Sequence, residues 1–254
     1  MKRWCYAGWI AALCACSSGT EGKIVQVELV MQPVAEAEAA LGSFETATGW
    51  QVTLEQAVLA LSGIYGYAPE KEPSAIARLS RLFVPVAHAH GGYDPVTGRR
   101  VRVELVEPMM VDLLDADGLD LGVVEAEAGT VETFAIEIAA PSPDLPEEMH
   151  GHQAWIAGEA RRDDEVVRFA GGLDVPDVAL TRRIEASADD VVLEEDSTLV
   201  LSVRPSVWLR EANFDRLEPA AGDEPRAITA ESQVSRAWFI GVRSPAAFSA
   251  ERDP

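Results

Sequence analysis

In "KIVQVELVM", residues 23–31, Val25, Val27 and Leu29 alternate with Ile24, Gln26 and Glu28, the two-residue period of a sheet face. Comparable runs recur at "RRVRVELVE" (99–107), "GTVETFAIEIA" (129–139), "HGHQAWIAGEA" (150–160), "EVVRFAGG" (165–172), "TRRIEAS" (181–187) and "STLVLSVRP" (197–205). Turn-forming stretches such as "DPVTG", "DADG" and "RRDDE" separate them. "WQVTLEQAVLALSGIYGY" (50–67) reads as strand from its β-branched start and aromatic end, although "TLEQAVLAL" alone has helical spacing behind Thr53. A charged excursion with one helical turn from Ser74 leads into an extended "RLFVPVAHAH" (81–90). Short helices are expected in "PSVWLREANFDRL" (205–217) and in "ITAESQVSRAWFIGV" (228–242), with Thr229 or Ser232 as the cap. There is no internal repeat of fixed period. The pattern predicts a mainly β chain: one antiparallel β-sandwich-like domain over residues 23–254, with short helical additions near its C-terminus.

The first twenty residues, "MKRWCYAGWIAALCACSSGT", change the picture from a bare domain to an exported one. Lys2 and Arg3 precede an apolar stretch too short to span a bilayer, the layout of a signal peptide over residues 1–15. Leu13-Cys14-Ala15-Cys16 resembles a bacterial lipobox and makes Cys16 the lipidated residue, because Cys14 would require Leu13 at a position that favours a small side chain. Residues 16–22 then form a lipidated cysteine and a tether whose six residues reach at most about 20 Å. The expected location is the bacterial cell envelope, held to a membrane, the outer one, by lipid. Cys5 and Cys14 leave with the signal, so no thiol or disulfide supports the domain and an apolar core must.

The formal charge is −21, and losing the two positive charges of Lys2 and Arg3 takes it to −23. Such a domain repels nucleic acid and concentrates cations.

Four histidines occur, and all fall in two H-x-H pairs: His88 and His90 in "FVPVAHAHGGYDPVTG", His150 and His152 in "EEMHGHQAW". On an extended strand, residues i and i+2 share a face about 7 Å apart, so each pair makes half of a metal site and the two together supply four nitrogens. With no thiolate available, copper(II) and zinc are the favoured ions, with nickel behind them. Tyr93 and Asp94 after the first pair, and Glu147, Glu148 and Met149 before the second, are possible additional ligands. Trp155, on such a strand, would face away from both histidines and pack inward. Both pairs lie beside glycines, so an incidental, solvent-facing role for them in a structural or partner-binding surface lipoprotein is the rival reading, with an envelope protein as partner.

No nucleophile elbow, metalloprotease helix, phosphate loop or dinucleotide fingerprint is present, so no catalytic residue is assigned. "HAHGGYDPVTG" has a faint likeness to the H-x-H-x-x-G-D stretch of copper–zinc superoxide dismutases. Gly92 and Tyr93 break its register and the zinc histidines have no match, which leaves only a copper-only form of that enzyme as a third reading. "DLLDADGLDLG" (112–122) lacks the EF-hand order and reads as a solvated hairpin loop.

The lipobox, "FETATGWQVTLEQAVLALSGIY", "AHAHGGY" and "AWFIGVRSPAAF" together resemble uncharacterised myxobacterial-type surface lipoproteins and, more distantly, MbnP-like periplasmic copper-binding proteins. The resemblance implies a β-rich domain at the cell surface with a copper link.

Overall fold

The computed structural model describes residues 22–36, 39–70, 92–222 and 224–253, apart from the side chains of residues 189 and 190. Among them the chain forms β1 (Ile24–Pro33), β2 (Ser43–Glu45), β3 (Gln51–Tyr67), β4 (Val101–Leu105), β5 (Met109–Asp112), β6 (Leu119–Glu127) and β7 (Gly129–Ile138). β8 (Ala154–Arg162), β9 (Glu165–Leu173), β10 (Arg183–Leu193), β11 (Ser197–Val203), β12 (Arg226–Ala227) and β13 (Phe248–Arg252) follow. The α-helices are short: α1 (Ala179–Arg182), α2 (Pro205–Trp208) and α3 (Gln233–Val242). The chain is mainly β, as its alternation predicts. The helical turn expected from Ser74 and the extended run at 81–90 lie outside the described residues.

The strands follow one path, β12-β9-β8-β3-β7-β10-β13-β11-β1-β6, with β2, β4 and β5 paired to β3 off that path. Most pairs are antiparallel. Three are parallel, β1 with β11, β10 with β13 and β9 with β12, where a purely antiparallel sandwich was expected. All three join strands distant in sequence, which turn signals between neighbours cannot reveal.

β3 organises the fold. β8 pairs with its first half and β7 with its second along one edge, while β2, β5 and β4 share the other. Register shifts fall between Leu54 and Gln56 and between Leu61 and Gly63. Each inserts a residue and moves the inward phase, so the main core receives Val52 and Leu54, then Ala57, Leu59 and Leu61, then Ile64. The opposite face is also covered: Val58 and Ala60 join Met149, and Tyr65 and Tyr67 join Val101 and Ala135. Burial on both faces explains why this strand is apolar almost throughout, whereas β1 keeps a clean alternation of Val25, Val27, Leu29 and Met31 inward.

In α3 the Ser232 hydroxyl accepts the Ser235 N–H at 3.0 Å, and Val234, Ala237, Trp238, Gly241 and Val242 are buried. Gly241 lets α3 lie on the carbonyls of α2, since a Cβ there would fall 2.5 Å from the Val207 oxygen. The region 112–122 holds an unforeseen strand start, β6, but its carboxylates do what a solvated loop requires: Asp112, Asp115 and Asp120 each accept a backbone N–H two residues ahead.

Candidate functional site

His150 and His152 do not lie on a strand, which corrects the reading of 150–160 as extended from its start. Glu147–Met149 is a single 3-10 turn; His150 closes it in the left-handed region at φ 50° and Gly151 follows at 81°. The His150 and His152 N–H groups donate back to the Glu147 and Met149 carbonyls, both at 2.9 Å. Gln153 then fastens the turn at mid-β3, where β7 ends and β8 begins. It is fully buried; its amide donates to the Ala139 carbonyl, its carbonyl oxygen accepts the Val175 N–H, and its backbone oxygen accepts the Ala60 N–H at 2.9 Å. β8 starts only at the next residue.

This turn folds both imidazoles onto one indole. The His150 ring lies 4.1 Å from Trp155, centroid to centroid, and the His152 ring 5.9 Å. Trp155 therefore lines the histidine site, contrary to the expectation that it faces away, because His152 sits in the turn before β8 and does not share the strand of Trp155. Gly172, the cross-strand partner of Trp155, leaves the notch that His152 fills: a Cβ on Gly172 would overlap the imidazole. Asp174, two residues on and so on the same side of β9's extension, places Oδ2 2.9 Å from His152 Nδ1. A carboxylate there accepts a hydrogen bond from Nδ1–H, which leaves the Nε2 lone pair for a ligand, the arrangement that orients metal-binding imidazoles. Neither Asp174 nor Gly172 was singled out from sequence; "GGLD" after a β-branched run was the available signal.

Two imidazoles that meet one indole, one of them backed by a carboxylate, offer the nitrogen donors that a transition-metal ion takes. His88 and His90 lie outside the described residues. Among the described residues no three His, Cys, Asp or Glu side chains converge on one point. Met149 is fully buried beside Val58, Ala60 and Ala139, and Glu147 and Glu148 are exposed. Tyr93 is half-exposed and forms a lone bridge with Arg100.

Asp94 is committed elsewhere. Tyr67 donates to its Oδ2 at 2.6 Å, Thr97 to the same oxygen at 2.7 Å and the Val96 N–H to Oδ1 at 2.9 Å; Arg183 pairs with it directly. Tyr67 is seven residues along β3 from Ala60, about 23 Å of extended chain, so the structure does not bring Asp94 to the second pair. Burial alone would raise the Asp94 pKa, but these hydrogen bonds and the Arg183 charge outweigh it and hold the carboxyl below its ordinary 3.8. The ionised form thus stabilises the fold fully above pH 3.8, and that contribution is lost as pH falls below it and through the depressed value. Denaturant titrations between pH 5 and 2.5 should show a shallower loss of stability for Asp94→Asn than for wild type; parallel slopes would contradict this account.

No family model matches the chain, and no curated protein does. A solved structure does. The fold is similar to that of MbnP from Methylosinus trichosporium. The alignment covers 91% of this chain and 99% of that one at 11% identity, with a TM-score of 0.42. No residue role follows from a likeness of that size. No helix among the described residues is long and apolar enough to cross a membrane.

Proposed function

We propose that this protein is exported, anchored to the envelope by lipid on Cys16, and binds a transition-metal ion, copper before zinc, for sequestration, delivery or sensing. His150 and His152 are the ligands the reading starts from, and His88 and His90 complete the imidazole set. The observation that carries it is the seating of His152: a glycine notch, an indole wall shared with His150 and the Asp174 carboxylate on Nδ1 hold the ring in place. A histidine that only faces solvent needs none of these. Imidazole suits both ions, and Cu(II) binds nitrogen sites more tightly than Zn(II). The acidic charge of the chain favours capture of a cation.

The test is metal content and Cu(II) and Zn(II) titration of untagged protein, beside His150→Ala/His152→Ala and His88→Ala/His90→Ala variants. About one equivalent of copper is expected for wild type, lost in the first variant; loss in the second as well assigns all four imidazoles to one site. Copper should quench Trp155 fluorescence, and the metal should dissociate between pH 7.5 and 5 because imidazole ligates only when neutral. Copper binding undiminished in the first variant would overturn the reading.

A further inference from the structure

Helix α3 carries two apolar faces. One is spent in the core, through Val234, Ala237, Trp238 and Val242. The other presents Ile240, 69% exposed, and the edge of Phe239, which is half-buried against the same core with the Arg243 guanidinium 5.2 Å from its ring, and Arg236 lies one turn earlier. A helix of a monomeric domain needs only the first. The second face stands across from the sheet surface made by Trp155, Ala170 and Gly172, and between them runs an open groove of about 850 Å³.

Small side chains on the sheet keep the groove open: Ala170 adds one methyl, and Gly172, overlaid by His152, adds none. Its size falls in the range of small-molecule sites, and its walls are mainly apolar, which a hydrated ion alone would not require.

The charges along the groove are unequal in their commitments. Asp174 is the lining carboxylate among the described residues, and both of its oxygens are taken, Oδ2 by His152 Nδ1 and Oδ1 by the Gln153 N–H at 3.3 Å. The Arg236 guanidinium donates from Nη1 to the Glu231 carbonyl at 2.6 Å and makes no ion pair among the described residues. In a chain of charge −21, a guanidinium left without a carboxylate beside an apolar groove complements an anion.

We propose that this groove binds a small organic carboxylate with an apolar body, the body lying between Trp155 and the Phe239–Ile240 face and the carboxylate meeting Arg236. The site is separate in its determinants from the metal reading, although His152 and Trp155 border both.

Isothermal titration with 4-phenylbutyrate and its neutral analogue 4-phenylbutyramide tests it. Wild type is expected to bind one equivalent of the acid saturably and the amide about tenfold more weakly, in line with a charge-assisted bond. Arg236→Gln should bring the acid down to the amide's affinity, and Ile240→Ser should weaken both alike. Both positions are exposed, so the fold should persist, which circular dichroism checks. The phenylbutyrate titrations are run on metal-free protein, where the groove is read whether or not the histidines bind an ion, so failure of either proposal is seen without the other. Equal affinity for acid and amide, binding indifferent to both groove substitutions, or no saturable binding would overturn the proposal. Self-association blocked by Ile240→Ser, in the absence of saturable binding, would mean that the face meets a second copy of the chain instead.

Discussion

Asp94→Ala is expected to destabilise the protein by roughly 3–5 kcal/mol, the cost typical of removing one partner from a buried ion pair. The Asp94 side chain is wholly buried and that of Arg183 is 7% exposed. Arg183 also bonds Glu137 at 2.9 Å and lies over the Tyr65 ring at 4.2 Å, while Arg99 lies over Tyr67 at 4.5 Å. Without Asp94, the Tyr67 hydroxyl loses its acceptor and the Arg183 guanidinium keeps only part of its compensation, in a place largely shielded from water. The cluster joins β3, β7 and β10 to the segment around Asp94 that precedes β4, so its loss should loosen that segment first. Urea unfolding of Asp94→Ala and Asp94→Asn measures this; the asparagine keeps the volume and some hydrogen bonds and should cost less. A loss below about 1 kcal/mol for the alanine would place the pair among those worth no more than surface ion pairs.

Gly172→Ala should lower metal affinity about 10- to 100-fold, the range seen when a ligand's supporting contacts are removed. Gly172 lies in a regular part of β9 and does not have a positive φ, so its backbone admits alanine. What does not admit it is His152: the new Cβ would overlap the imidazole Cγ, Cδ2 and Cβ. The ring must leave the notch and with it Asp174. The ring can swing outward to solvent, but the His152 Cβ would still lie 2.6 Å from the new Cβ, so the turn that carries it must shift as well, and circular dichroism checks that the fold persists. Copper titration of Gly172→Ala beside wild type reads the effect. Wild-type affinity in a folded variant would show that the seat of His152 is irrelevant to ligation.

The differences between expectation and structure share a cause. In "TLEQAVLAL", apolar residues at helical spacing arise from a strand whose inward phase is reset twice by extra residues. Strand and helix look alike there until the partners of β3 are known. In "MHGHQAW" the period-2 pattern is real from Ala154 onward, but the two histidines belong to a turn, set by the left-handed His150 and by a buried Gln153 whose partners lie 14 and 22 residues away. Asp174 and Gly172 reach the site only because β8 and β9 pair in a register that sets Trp155 opposite Gly172. β13 at the C-terminus was missed for a similar reason: a five-residue strand shows little periodicity of its own, and here it is held between β10 and β11.

By itself the sequence determined the β class, the inward residues of β1, the capped C-terminal helix and the pairing of every histidine with another two positions away. These are local properties, fixed by side-chain period, capping chemistry and composition. Only the tertiary structure decided which strands lie side by side, that three pairs run parallel, that His150 and His152 meet on Trp155 in front of Asp174, and that Asp94 is buried against Arg183. Each of these joins residues far apart in the chain, and their pairing depends on how the whole core closes, which no local pattern encodes.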